Sequence, residues 1–386
     1  MSPDLIALGG VALTLASLTG LPLIVLRPNR ILSGAPLSAA AATGPWFYVL
    51  LALLALLAFL ALRKRNRPLW NAGAALTAEL LLVLLFFAAG RAARLLSAGA
   101  GPVARVSLGG GLWLAVLGLY FVLFACSRPL RSGLRMVLLL SGPAVILALL
   151  ASGALSELSL LKELANRRET YLAELRRHLL LSLASAGAGA AVGIPLGLLM
   201  HRRPASEKFV FFVVNLAQTI PPLSLLGLLI LPLSALALRF PLAARLGVRG
   251  VGWTPAWIVL FLYALLPIAG NTLAGFRTVP PEAIEAARGM GMTTGQRFWR
   301  VELPLAFPVI VSGVRTALTQ NIGNALLAGL IGGGGLGALI YLGLAQAAPD
   351  LILLGALSVA VLALAADRGL EALVRALTPR GIRSGA

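Results

Sequence analysis

The sequence predicts an all-α, polytopic membrane protein with about ten transmembrane helices. Hydrophobic residues make up 59% of its 386 residues and charged residues only 12%, whereas about 25% of the residues in a soluble domain are charged. Apolar runs of roughly 18 or more residues recur along the chain, a length that spans a bilayer as a helix. Because these runs are continuous rather than alternating in polarity, they argue against a β-barrel.

The first predicted span, Leu5–Leu26, carries no charge. The N-terminus lacks the basic start and small-residue cleavage site of a secretory signal, so this span is expected to be retained. The span count depends on 209–250, where Pro221 and Pro222 either break one span or divide two. The predicted spans lie near 5–26, 46–62, 72–89, 110–126, 135–155, 178–200, 209–236, 254–275, 305–330 and 351–368.

The net charge of +19 comes mostly from arginines in the links between spans. This distribution is typical of membrane orientation rather than of nucleic-acid binding. It predicts a multi-pass protein of the inner membrane with both termini in the cytoplasm. Six arginines would lie outside and depart from this pattern: Arg91, Arg94, Arg105, Arg239, Arg245 and Arg249. The links expected in the cytoplasm are Arg63–Arg67, Arg128–Arg135, Arg202–Lys208, the loop at 280–304 and Arg368–Arg383.

A change in composition divides the chain near residue 165. Residues 1–160 are expected to form an N-terminal bundle of Leu- and Ala-rich spans, and a charged segment at 157–177 follows it. The second region, 165–376, carries polar and helix-breaking residues within its spans. Cys126 is the only cysteine, which excludes an intrachain disulfide and a cysteine metal cluster.

The loop at 280–304 predicts two short amphipathic helices on the cytoplasmic side. Pro280 and Pro281 suit a helix start, and a glycine at 289 or 291 is expected to end that helix. Thr293 and Gln296 match a capping box for a second helix, which is expected to break at Pro304. An ordinary interfacial loop is the alternative.

This loop resembles the cytoplasmic EAA loop of permease subunits in ABC importers, with Val301 where that family has isoleucine. The resemblance implies that the loop docks on an ABC ATPase subunit and transmits its motion. It also implies a five-helix core of the type I importer class at 165–376, preceded by the N-terminal bundle. The matching residues, expected to couple to the ATPase, are Glu285, Ala286, Ala287, Gly291, Leu303 and Pro304.

Further motifs in the second region resemble the osmoprotectant branch of these permeases, which imports glycine betaine, choline, carnitine or related quaternary ammonium solutes. Here Pro222 stands where a smaller residue is expected. The motifs are Gly193–Gly197, Gln218–Pro221, Leu265–Pro267 with Asn271 and Thr272, and Gln320–Gly323.

Polar residues in spans are costly unless they face the bundle interior or a water-filled cavity. They line a pathway or bond a neighbouring helix. Arg315 is expected to pair with a carbonyl or reach the interface. The residues expected to line the pathway are Gln218, Thr219, Pro221, Asn271, Gln320, Asn321 and Asn324.

Several other polar residues have simpler interpretations. His178 and His201 flank spans and are expected at the membrane interface. Asp367 is expected to pair with Arg368 at the cytoplasmic end. The glycine-rich stretch 332–337 lacks the Lys-Ser/Thr of a phosphate loop, so a flexible external turn or close helix packing is expected.

The chain carries no nucleotide-binding motif, so it is expected to be a transport subunit without cofactors and not an enzyme. ATP would be hydrolysed on the ABC ATPase, and an extracytoplasmic binding protein would capture the solute. A second permease copy or a paralogue would complete the pathway in the bilayer. One alternative is an ion-driven secondary transporter that uses Glu79 in the third span. An intramembrane enzyme is the other, but the sequence lacks a cluster of catalytic residue types.

Overall fold

The computed structural model describes residues 5–29, 32–62, 68–101 and 103–377. The predicted basic link Arg63–Arg67 and the arginines at 380 and 383 lie outside the described residues. The chain divides into two compact units, Met1–Asn166 and Arg167–Ala386.

The first unit is a helical bundle with a small sheet. Helix α4 packs against α3, α5 and α6, and α1 packs against α5. Its elements are α1 (Leu5–Gly20), β1 (Pro22–Arg27), β2 (Ala35–Ser38), α2 (Ala39–Thr43), α3 (Trp46–Leu62), α4 (Pro68–Ala100), β3 (Arg105–Leu108), α5 (Gly110–Ser127), α6 (Ser132–Ala151) and α7 (Ser159–Asn166).

The three strands form an antiparallel sheet in the order β2-β1-β3. The predicted first span, 5–26, is therefore wrong at its C-terminal end, because the helix stops at Gly20. A residue before proline is pushed toward extended backbone, and the run after Pro22 is rich in branched side chains that suit a strand. Leu23 and Ile24 on β1 are fully buried.

The second unit is built around α12, which packs against α8 and α15, while α15 and α16 pack against α17. Its α-helices are α8 (Arg168–Arg202), α9 (Glu207–Thr219), α10 (Pro222–Arg239), α11 (Pro241–Arg245), α12 (Trp253–Arg277), α13 (Pro281–Gly289), α14 (Thr294–Arg297), α15 (Leu303–Asn324), α16 (Leu336–Ala345) and α17 (Pro349–Leu377). A π-turn spans Phe298–Glu302, and 3-10 turns span Pro204–Ser206 and Ala325–Ile331.

The predicted all-α membrane fold is confirmed. In the described parts of the chain, eight helices have the length and apolar composition to cross a membrane. Two shorter apolar helices, α1 and α3, lie at the first two predicted spans. The prolines at 221 and 222 divide two helices rather than kink one.

Candidate functional site

The segment between α12 and α15 folds into the two short helices that its sequence predicts. Helix α13 starts at Pro281 and ends at Gly289, and Gly291 has a φ of +76°. Met292 N donates to Ala287 O (3.1 Å) and Gly291 N to Arg288 O (2.9 Å), the paired bonds of a Schellman helix end. The bend between the helices is therefore specified by one glycine.

The capping box at the start of α14 is confirmed. Gln296 N donates to Thr293 Oγ1 (3.3 Å), and Thr293 N donates to Gln296 Oε1 (3.0 Å). The expected break at Pro304 is wrong, because the π-turn leads directly into α15. The Leu303 N–H donates to Phe298 O, five residues earlier. Pro304 has no backbone N–H, so it leaves no donor without a partner at this point of the helix.

Aromatic packing anchors this segment to the ends of α8 and α12. Phe298 stacks on Phe276 with 5.8 Å between ring centroids. The Arg202 guanidinium lies 5.0 Å from the Phe298 ring, and the His201 ring stacks on Phe276 at 5.2 Å. Arg297 Nε pairs with Glu302 at 2.7 Å. These contacts fix the π-turn to the ends of α8 and α12.

The remainder of the segment forms an exposed face. Of the predicted coupling residues, Glu285, Ala286 and Gly291 are exposed, Leu303 and Pro304 are half-buried, and Ala287 is buried. Sequence reasoning did not select Met290 and Trp299, which are 69% and 68% exposed. The sequence signal for them is the presence of two large apolar side chains within a charged loop. Contiguous exposed apolar patches with polar neighbours mark sites of interaction with a protein or a membrane.

At the α9–α10 break, two side chains donate to backbone carbonyls next to prolines. Pro267 has no N–H, so the carbonyl of Tyr263, one turn earlier, loses its helical partner. Gln218 Nε2 donates to that carbonyl at 2.7 Å. The Tyr263 hydroxyl in turn donates to Ile220 O at the break. Gln218 and Tyr263 therefore lock α9 onto α12, a role for Tyr263 that sequence reasoning missed.

The other predicted pathway residues near this break differ in setting. Thr219 and Pro221 are exposed, and the Thr219 hydroxyl donates within its own helix to Asn215 O (2.9 Å). Asn271 is half-buried, and its Nδ2 donates to Pro267 O at 2.8 Å. Only Thr219 and Pro221 of this group face open space.

The polar residues of α15 lie on different faces. Gln320 is exposed, Asn324 is half-buried and Asn321 is fully buried. Asn321 Nδ2 donates to Ser185 Oγ at 2.8 Å, and Ser185 donates to Ser182 O at 3.1 Å. The buried Asn321 Oδ1 has no hydrogen-bond partner among the described residues. Asn321 therefore joins α15 to α8.

His178, which is expected at the membrane interface, is fully buried within the protein. Its Nε2 donates to Ile322 O (3.0 Å), and its Nδ1 accepts from Leu336 N (3.3 Å). One turn earlier, Glu174 accepts from Gly335 N at 2.5 Å. The glycine-rich stretch is therefore held on α8 by two side chains rather than free as a flexible turn.

Arg315 and Asp367 pair with each other, so the expected Asp367–Arg368 pair is wrong. Arg315 Nε and Nη2 donate to the two carboxylate oxygens of Asp367 at 2.5 and 2.9 Å. Arg368 instead pairs with Glu371 at 3.5 Å. A planar guanidinium matches a carboxylate with two bonds, which links α15 to α17.

Glu79 is buried in the first unit, where it accepts a hydrogen bond from Ser141 Oγ. This contact joins α4 to α6. Among the residues that the structure describes, no group of three or more His, Cys, Asp or Glu side chains could hold a metal ion.

Two family profiles match the chain. The profile described as "binding-protein-dependent transport system inner membrane component" matches residues 189–380. The profile described as "ABC transporter permease YehY, N-terminal domain" matches residues 5–161. The first match includes the segment that resembles the EAA loop.

Curated relatives align with about half of this chain and most of their own length. The carnitine transport permease protein OpuCB of Listeria monocytogenes is 43% identical over 54% of this chain and 88% of its own. The osmoprotectant import permease protein OsmW of Salmonella typhimurium is 41% identical over 55% of this chain and 94% of its own.

A solved inward-facing structure of the MetNI methionine ABC transporter covers 55% of this chain and 98% of the matched chain, at 24% identity and a TM-score of 0.47. The family profile and the curated relatives are sufficient for an assignment: the chain belongs to the binding-protein-dependent transport system inner membrane components, the permease subunits of ABC importers.

Proposed function

We propose that this permease carries a quaternary ammonium osmoprotectant across the inner membrane. The support is its likeness over the second unit to permeases named for carnitine and for osmoprotectants. Quaternary ammonium ions are usually held by aromatic cages, and aromatic residues are only 6% of this chain. Solute selection is therefore assigned to the extracytoplasmic binding protein, and this chain supplies the passage.

The face around Glu285, Met290 and Trp299 is the proposed contact with the ATPase. The single observation that carries this assignment is the combination of two exposed apolar side chains, Met290 and Trp299, with a stacked anchor at Phe298. A surface that is bound from outside and fixed to the spans from within can transmit force. A loose loop would absorb that force instead.

Charge supports a cytoplasmic position for this face. The adjoining ends of α8 and α9 carry Arg202, Arg203 and Lys208. Arg277 at the end of α12 pairs with Glu207 at 2.6 Å, so these helix ends lie together. Lysine and arginine concentrate on the cytoplasmic side of membrane proteins. With ten spans, both termini would also be cytoplasmic.

The proposed mechanism is alternating access by two permease copies, identical or paralogous. ATP-driven closure of two ATPase subunits brings the two coupling faces together. The motion passes through Phe298 and Phe276 into α12 and α15. Helix α12 is locked to α9 by Gln218 and Tyr263, and α15 to α8 by Asn321. These helices therefore move as sets, and the exposed Thr219, Pro221 and Gln320 line the opening.

Charge reversal at Glu285 tests this assignment. Glu285→Lys is expected to lower ATPase co-purification and solute-stimulated ATP hydrolysis by about tenfold or more, because reversing a charge in the contact disrupts its electrostatic complementarity. Glu282→Lys is the matched control, since Glu282 is also exposed on α13 but outside the matching motif. Equal activity of the Glu285→Lys and wild-type complexes would reject the docking face.

Ion-driven secondary transport remains the second candidate, because Glu79 is a buried acid within a span. Glu79→Gln keeps an oxygen that accepts from Ser141 but removes the charge. We expect uptake by this variant to match the wild type and to depend on the ATPase subunit. Uptake abolished by Glu79→Gln, measured with labelled glycine betaine in cells with equal membrane amounts of protein, would favour the ion-driven mechanism.

A further inference from the structure

The first unit contains a polar cavity of about 600 Å³ at the C-terminal end of α4. It lies between α4, the turn at 152–158 and α7. Its lining includes two cations, one carboxylate and three hydroxyls: Arg94, Lys162, Glu157, Ser97, Ser152 and Ser156. Neither the coupling face nor the residues proposed for the passage belong to it.

Close packing fixes the shape of this cavity. A Cβ at Gly90 would lie 2.6 Å from Ala154 O, so only glycine lets the turn approach α4 this closely. Leu155 and Leu158 on the same turn are buried, and Leu158 bridges to Val106 on β3. The turn at 152–158, which carries some of the polar side chains, is therefore packed against both α4 and the sheet.

The charged groups of the cavity are arranged as a network. Lys162 Nζ lies 2.7 Å from Glu157 Oε2 and 3.5 Å from Ser97 Oγ. Arg94 Nη2 donates to Gly153 O at 3.1 Å. The Lys162 and Ser97 hydrogen bonds, with the charge of Arg94, lower the pKa of Glu157. The carboxylate therefore stays ionised, and opposite charges face one cavity.

We infer that this cavity binds a small zwitterion whose cationic group carries N–H donors. The anionic end would lie between Arg94 and Lys162, and the ammonium would donate to Glu157. Glu157 is 37% exposed and Lys162 17% exposed on their side chains, so a ligand can reach both. None of the described residues that line the cavity is aromatic, so they offer a trimethylammonium group no aromatic cage.

The position of the cavity indicates the side of the membrane from which a ligand would enter it. The basic run from Arg128 to Arg135 joins α5 and α6, and the cavity lies at the other end of α6. If that run is cytoplasmic, the cavity opens outside. A role of Arg94 in ligand binding would then explain why this arginine lies outside, against the concentration of Lys and Arg on the cytoplasmic side. The inference concerns the first unit alone and does not rest on the proposed osmoprotectant passage.

Two sources share this chemistry: a free amino acid and the headgroup of an ethanolamine phospholipid. The full chain in phosphatidylcholine nanodiscs would be probed by saturation-transfer NMR with glycine, glycine betaine and acetate. We expect glycine to bind at least about tenfold more tightly than the other two. Neither glycine betaine nor acetate can donate an N–H to Glu157, and the loss of such charge-assisted hydrogen bonds weakens binding by about that factor. Glu157→Gln should lose the glycine signal, while Glu169→Gln, on α8, should keep it.

The lipid arm uses mixed nanodiscs of phosphatidylethanolamine and phosphatidylcholine. Enrichment of the ethanolamine lipid on the purified wild type, lost in Glu157→Gln, would support the same site with a lipid ligand. Thermal unfolding would verify that each variant is folded, and Arg94→Gln provides a second variant. The inference would be overturned if glycine and glycine betaine bound equally, or if binding were unchanged in Glu157→Gln. It would also be overturned if neither glycine nor the ethanolamine lipid bound.

Discussion

Replacing Gly291 by valine is expected to abolish solute uptake while leaving the amount of protein in the membrane unchanged. Gly291 has a φ of +76° and lies at the Schellman end of α13. A left-handed conformation costs an ordinary L-residue about 1–2 kcal/mol, and a β-branched residue is worse. A Cβ at this position meets nothing within 4 Å, so the strain acts on the backbone bend alone. The bend sets the direction of α13 relative to Trp299.

The matched control is Gly295→Ala. Gly295 lies in α14, its φ is not in the left-handed region, and a Cβ there also meets nothing within 4 Å. Uptake of labelled glycine betaine, normalised to the membrane content of each variant, measures the difference. We expect wild-type uptake for Gly295→Ala. Wild-type uptake for Gly291→Val as well would mean that the geometry of this bend is irrelevant to transport.

Replacing Gln218 by methionine is expected to destabilise the second unit by about 1–3 kcal/mol, because the Tyr263 carbonyl is left without a partner. Methionine keeps the length of the side chain but has no N–H. The loss should detach α9 from α12 and lower uptake as well. Thr219→Val is the control for the effect on stability, since the Thr219 hydroxyl bonds only within its own helix.

A double variant tests the cause of this effect. Pro267→Ala restores an N–H that can donate to the Tyr263 carbonyl within α12. Gln218→Met should therefore cost much less in the Pro267→Ala background than alone, a coupling that a mutant cycle measures. Thermal unfolding in detergent gives the four stabilities. Additive effects of the two substitutions would show that the hydrogen bond to Tyr263 contributes little.

Local signals in the sequence predict the local structure of the coupling segment. The capping box of Thr293 and Gln296 and the glycine at 291 each act within six residues of chain, so spacing alone identifies them. The apolar runs likewise predict the spans, since bilayer thickness sets their length. The continuation of the helix through Pro304 was not predicted, because a π-turn has no simple sequence signal.

Contacts between distant parts of the chain were beyond local reasoning. His178 meets Ile322 across 144 residues, and Arg315 meets Asp367 across 52. Each was assigned to the interface or to a sequence neighbour because a polar residue near a span end usually lies there. The clamp of Gln218 on Tyr263 could have been suspected from Pro267, which frees a carbonyl one turn earlier. Its partner, however, depends on how α9 packs on α12.

The most direct test of the coupling face is the accessibility of one engineered thiol. Cys126 is the only cysteine and is buried, so Met290→Cys can be introduced in a Cys126→Ala protein. Membrane-impermeant maleimide should label this thiol in inside-out vesicles and not in right-side-out vesicles. Adding the ATPase subunit should protect it. Labelling from the outer side, or labelling that the ATPase leaves unchanged, would contradict a cytoplasmic docking face.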